Sequence, residues 1–178
     1  MKLLKEIKIE PNKVFTDGQF NADLSGKTLV EIYRHICGTY PKFFKMDGLC
    51  KLGFVAAEWL LSDVSAEDKA NSSVILFNHG GSVYTDRIYE DTIKDSENYF
   101  PSPAHFVYTL ANIVTGEIAI RHKIYGETSF YILDNEDVMN AQPIEALIDE
   151  SQSPLVLTGW VDYESETEFK AEIKLISK

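Results

Sequence analysis

The 178 residues carry 17 Lys and Arg against 28 Asp and Glu, a formal charge of -11. That balance argues against nucleic acid or an anionic membrane as the main partner, because a phosphate backbone is held by clustered Lys and Arg, and the densest basic triplet is the short RHK at 121–123. With 44% apolar and 25% charged residues and no long low-complexity tract, residues 1–178 read as a single folded domain able to bury an ordinary core. The opening MKLLKEIKIEPNK lacks the apolar stretch of a secretory signal, and no apolar run approaches the roughly 20 residues of a membrane helix. Only Cys37 and Cys50 occur, which points to a reducing compartment. A cytoplasmic protein without cofactor or structural zinc is the expectation.

The segment LLKEIKIEPNKVF alternates as an opening strand or hairpin, with Pro11-Asn12 at its turn. Leu29 to Ile36 predicts a short helix stopped by Gly38 and Pro41. MDGLCKLGFVAAEWLLSD places Leu49, Leu52, Ala56 and Trp59 at helical spacing behind a capping Asp47. SSVILFNHGG is a near-continuous apolar run ended by Gly80-Gly81, the pattern of a buried central strand. TDRIYEDTIKDSENYF predicts a helix capped by Thr85 or Asp86, with Ile88, Tyr89, Thr92 and Ile93 along it. Ser102-Pro103 starts another, with Phe106, Leu110, Ile113 and Val114 as its buried face. EIAIRHKIYG and TSFYILDN read as extended around Gly126. EDVMNAQPIEALIDES is a helical stretch that Pro143 should bend or break. SPLVLTGWVDY and TEFKAEIKLISK close the chain as a hairpin. Strands alternating with helices predict an α/β layered domain, a mixed sheet with helices packed on it.

From about Phe44 to Tyr163 these segments resemble, in order, the N-terminal half of a beta-ketoacyl-acyl-carrier-protein synthase, of the thiolase-like fold. FKMDGLCKLGFVAAEWLLSD is similar to the family's Met-Asp helix, and SSVILFNHGGSVYTDRIYEDTI to its strand, Gly-Ser turn and following helix. FPSPAHFVYTLANIVTGEIAIRHKIYG is similar to its Ser-Pro helix, with Asn112 and Gly116 at the Asn and Gly of that pattern. SPLVLTGWVDY resembles the strand leading to a Gly-rich turn and an acid.

The resemblance implies a nucleophilic cysteine after the strand that comes next to Gly126, but that place falls on Asp134 and Asn135 in LDNED, and neither side chain can form a thioester. A condensing cysteine is activated at a helix N-terminus, where amides favour thiolate and oxyanion; the carboxylates of Asp134, Glu136 and Asp137 would compete for those amides. The family's His or Asn groups and Lys belong to a C-terminal half that is expected to be missing. A truncated, noncatalytic synthase-like subunit of fatty-acid, polyketide or polyene assembly is therefore expected. It would pair through the ETSFYIL strand with a second copy or with a complete beta-ketoacyl synthase, and acyl carrier protein is a further candidate partner.

Two other classes stay open. An acyltransferase or hydrolase could use Cys37, two residues after His35, or His79 in the FNHGGS turn, and a small-molecule or acyl-chain binder would use an apolar pocket. FNHGGS lacks the Lys and Ser/Thr of a P-loop and the third Gly of a dinucleotide fingerprint, which favours a tight connection. Cys50, inside an amphipathic helix, reads as a buried structural thiol. His105 and His122 are acid-base candidates without an assignable partner, and His105 is expected to face solvent. The acids of DYESETE and DNED read as solvated turns, lacking calcium-loop spacing. Phe43, Phe44, Tyr99, Phe100, Phe106, Tyr108, Phe130 and Tyr131 fall mostly to the core, with some at an interface.

Overall fold

Alternation in LLKEIKIE yields β1 (Lys2–Glu10), which turns through Asn12 at φ 64° into β2 (Lys13–Thr16) and then β3 (Gln19–Phe20). The computed structural model describes residues 1–140 and 142–178. α1 (Leu29–Ile36) opens on a capping box: Thr28 Oγ1 accepts the Glu31 N–H while the Glu31 carboxylate accepts the Thr28 N–H. A 3-10 turn, Pro41–Lys45, leads to α2 (Gly48–Leu60), whose first amides are capped by Asp47 at 2.9 Å from the Cys50 nitrogen. Ten of its residues are buried, so it lies between layers rather than on a wet surface. α3 (Ala66–Ala70) precedes β4 (Ser73–Asn78), every residue of which is buried.

The connection out of β4 runs through α4 (Val83–Asp91), α5 (Pro103–Val107) and α6 (Ile113–His122) to β5 (Thr128–Ile132). A 3-10 turn at Glu136–Asn140 and α7 (Gln142–Glu150) then lead to the hairpin of β6 (Leu155–Ser165) and β7 (Glu168–Ser177). The strands form one sheet in the order β3-β2-β1-β7-β6-β4-β5. β4 is parallel to both β5 and β6, whereas the remaining pairs are antiparallel. Parallel neighbours need long crossovers, and the helices supply them.

Strand alternation divides the core in two. Val74, Leu76, Leu157, Val161, Ala171 and Ile173 face α1, α2 and α6, while Ile75, Phe77, Val156 and Trp160 face Ile144 and Ile148 of α7. On the first side α2 and α6 approach closely at Gly53, where a Cβ would lie 2.5 Å from Val114 Cγ2. The expected mixed α/β layering is therefore present.

Three local expectations are corrected. EIAIRH is helical, not extended: α6 runs to His122 and ends on Lys123 in the left-handed conformation, because Val114, Glu117 and Ile118 form a buried helical stripe that outweighs the strand preference of its isoleucines. Phe106 and Leu110 are exposed, since the chain breaks between α5 and α6 and the two helices do not share one face. α4 starts at Val83 after Ser82 without a side-chain cap; Thr85 instead turns inward and donates to Asp47 Oδ2 at 2.6 Å, and the helix ends at Asp91, before Thr92 and Ile93. The EDVMNAQPIEALIDES stretch is interrupted as Pro143 predicts: a 3-10 turn covers Glu136–Asn140 and a separate helix, α7, starts at Gln142 with Pro143 in its first turn, where no amide donor is required.

Gly159 in β6 has φ 149°, and a Cβ there would lie 2.1 Å from the Glu172 carbonyl oxygen of β7. Backbone on an adjacent central strand cannot yield as a side chain could. Gly159→Ala is expected to cost about 3 kcal/mol, beyond the ordinary range of surface changes, read as a lower urea midpoint at unchanged slope. An unchanged midpoint would contradict the close β6–β7 packing.

Candidate functional site

The parallel strands β5, β4 and β6 bring three turns together at their C-terminal ends, where open α/β sheets usually place their sites. After β4, Asn78 closes the turn on itself: its Nδ2 donates to the Gly81 carbonyl at 2.8 Å and its Oδ1 accepts the Gly81 N–H at 3.0 Å. Gly81, at φ 59°, supplies the left-handed step. The amides of His79 and Gly80 donate to the two oxygens of Asp162, at 3.4 and 3.3 Å. A Cβ on Gly80 would lie 2.6 Å from Glu164 Oε1. The amides that could hold an oxyanion or a phosphate are thus occupied by a carboxylate, which disfavours the hydrolase reading of FNHGGS.

His79 is exposed, with Nδ1 3.1 Å from the Leu133 carbonyl oxygen. It therefore stands beside Asp134 and Asn135, which are exposed where β5 ends. The short 3-10 turn comes next, and its first residue, Glu136, is paired with Lys170 of β7 at 2.5 Å. His105 is exposed on α5, touching Ser102 only through its own amide among the hydrogen bonds of the described residues. It joins neither cluster.

Cys37 sits at the other end of the sheet, where α6 runs down to the start of β5. Arg121 on α6 donates from Nε to Glu58 Oε1 at 2.6 Å and from Nη2 to Cys37 Sγ at 3.1 Å. Its guanidinium also lies 5.0 Å from the Tyr40 ring centre. Burial pushes the Glu58 carboxyl up, but hydrogen bonds from Arg121 and Cys37 outweigh it and hold the group below its ordinary range. Sequence spacing could not assemble Cys37, Glu58 and Arg121; the one available signal was a lone acid in the otherwise apolar GFVAAEWLL. The same holds for buried Glu117, which pairs with Lys42 at 2.8 Å and accepts from Tyr108 Oη at 3.3 Å. Cys50 is buried inside α2, as a structural thiol should be.

His122 completes the Cys37 group. Its side chain is 7% exposed, with Nε2 3.3 Å from Glu58 Oε1 yet without an aligned hydrogen bond. Burial holds its imidazole at about 4 instead of the ordinary 6.5, and Glu58 only partly opposes this. Unfolded His122 thus takes a proton near pH 6.5, whereas the folded residue resists until about pH 4. Stability present above that window is lost as pH falls through it, by up to about 3 kcal/mol. His122→Gln should flatten the stability profile between those values in urea titrations, and an identical slope would contradict the burial of the ring.

No protein-family model matches the chain, and no curated protein does. Solved structures do share its shape. A chain of the ketosynthase ApeO in complex with its chain length factor ApeC, from Xenorhabdus doucetiae, superimposes with TM-score 0.65 at 13% identity, covering 100% of this chain and 79% of that one. The ishigamide ketosynthase/chain length factor matches with TM-score 0.73 at 14% identity, over 99% of this chain and 62% of that one. The match extends beyond residues 44–163, where the wording of the sequence carried the resemblance. The chain has the thiolase-like α/β fold that ketosynthase and chain length factor proteins share.

Proposed function

We propose that this chain is a noncatalytic ketosynthase-like subunit that associates, through the outer edge of β5, with a ketosynthase or with a second copy of itself in polyketide, polyene or fatty-acid assembly. The observation that carries this reading is the position of β5. It is the last strand of the sheet, and among the described residues its ladder partner is β4 alone.

The register gives the open edge its chemistry. Glu127 accepts from the Val74 amide and Leu133 donates to the Asn78 carbonyl, each at 2.8 Å. The odd-numbered residues therefore turn their backbone groups toward β4, and alternation turns the N–H and C=O of Thr128, Phe130 and Ile132 outward. A sheet edge of this kind templates pairing with another strand. Apolar surface flanks it: Ile132 is 62%, Ile120 65% and Tyr125 79% exposed. Ile132 reaches toward Gly81, Val83 lies two residues on, and Ser82 Oγ donates to the Thr109 carbonyl beside exposed Leu110, so the apolar strip continues past the strand. An exposed apolar strip on a chain of net charge -11 suits a protein partner.

The noncatalytic part rests on chemistry at the strand end. On the sequence resemblance, Asp134 and Asn135 take the place of the family's cysteine; a 3-10 turn succeeds them, and Asp162 occupies the nearby amides. Thiol attack on a thioester has no nucleophile there.

Thr128→Pro removes an outward amide without touching a bond to β4. The wild-type protein should sediment as a dimer, or as a mixed complex when combined with ketosynthases encoded beside it. Thr128→Pro should weaken that association tenfold or more, about 1.4 kcal/mol, with an unchanged melting temperature. A strict monomer that ignores every ketosynthase overturns the reading.

A further inference from the structure

The charge of this chain is segregated along its length. Residues 124–169 hold 11 acids and neither Lys nor Arg, whereas the remainder holds 17 acids against 17 Lys and Arg, so the whole net charge of -11 lies in that stretch. It spans β5, the 3-10 turn, α7 and β6, which surround β4 on the side of the sheet that ends at the open edge. Among the described residues, the one ion pair made by these acids joins Glu136 to Lys170.

Two of the acids bracket the edge itself. Glu127 precedes Thr128 and Asp134 follows Leu133, and both are exposed. The cation nearest in sequence, Lys123, lines the recess that also holds Cys37 and Lys69.

Two identical edges pair about a twofold axis, which makes their strands antiparallel. The register that engages every outward backbone group of Thr128, Phe130 and Ile132 sets Phe130 opposite Phe130 of the second copy, and Thr128 opposite its Ile132. Glu127 then lies across from Leu133 of the second copy and next to its Asp134, and the twofold repeats this at the other end. Carboxylates are forced together at both ends of the strand pair, inside the roughly 8 Å Debye length of physiological salt. Like charges juxtaposed in this way oppose association, and the acidic flanks behind them add to the repulsion. A partner strand flanked by Lys or Arg turns both ends to attraction.

We propose that Glu127 and Asp134 make the β5 edge selective: it rejects a second copy and accepts the strand of a different protein that carries basic residues at both ends. The apolar strip supplies contact area and the backbone supplies hydrogen bonds, whereas these two side chains decide which chain pairs. The inference rests on association through β5 and chooses between the two partners that such an edge allows.

Sedimentation of the full chain in three charge states tests the choice. Glu127→Lys with Asp134→Lys reverses two exposed charges, and Glu127→Gln with Asp134→Asn removes them at constant shape; the three proteins should share one melting temperature. Wild type should stay monomeric at concentrations where its equimolar mixture with the lysine variant forms a heterodimer. That pair should be tenfold or more tighter than either protein with itself, and about 0.5 M salt should erase the difference. The neutral variant should self-associate about tenfold more tightly than wild type. Thr128→Pro in the wild-type member should abolish the mixed pair, which ties it to the edge. A mixture no tighter than wild type with itself, or equal self-association of wild type and the neutral variant, overturns the selection; if Thr128→Pro still weakens a wild-type dimer, pairing through β5 stands without it. If nothing pairs and every ketosynthase is ignored, the β5 reading falls and the selection falls with it.

Discussion

The burial of β4 is the constraint on which the remaining architecture depends. All six of its residues are inside, so both faces need cover and both edges need strands. Its neighbours are parallel to it, and a parallel neighbour is reached only by a long crossover. α4, α5 and α6 make the crossover to β5, and α7 lies on the return to β6. The two cores result, Val74 and Leu76 facing α2 and α6, Ile75 and Phe77 facing α7. β6 continues into an antiparallel hairpin, so one flank of the sheet is extended by β7, β1 and β2. The other flank ends at β5, and the open edge is a consequence of the topology rather than an accident of one loop.

Charged groups trapped by this packing sit at the seams of the helical layer. Glu58 of α2 and Arg121 of α6 tie two packed helices together, and Glu117 of α6 holds Lys42 of the Pro41–Lys45 turn. Burying such charges is costly unless both members are present, which makes these pairs markers of how the layers register. The first pair also has Cys37 and His122 packed against it, the thiol on Arg121 and the imidazole on Glu58. One seam therefore gathers an ion pair, a thiol and a buried imidazole.

Much of the scaffold is legible in the sequence, and the reasons are local. Gly38, which stands at φ 65°, bounds α1. Asp47 before an apolar helix and the unbroken SVILF of β4 need no tertiary information. α6 is the exception, because Ile118, Ile120 and Ile124 favour strands on propensity alone, whereas packing against Gly53 of α2 selects the helix. The hydroxyl of Thr85 suits a cap, yet its actual partner, Asp47, lies 38 residues away. The same distance problem hides the Cys37 group, since Arg121 is 84 residues from Cys37 and 63 from Glu58. Edge position is also a property of the whole sheet: TSFYI reads as a strand, but only the strand order shows that, among the described residues, no strand lies beyond it.

The central claim is that the outward backbone of β5 is a pairing surface, and residue-resolved amide hydrogen exchange tests it most directly. The amides of Thr128, Phe130 and Ile132 point away from β4 and should exchange quickly in dilute protein, while those of Ser129 and Tyr131, bonded within the sheet, exchange slowly. On self-association at high concentration or on addition of a ketosynthase, the three outward amides should become protected. A complex that forms while these three amides remain fast would contradict the account, placing the contact elsewhere on the protein.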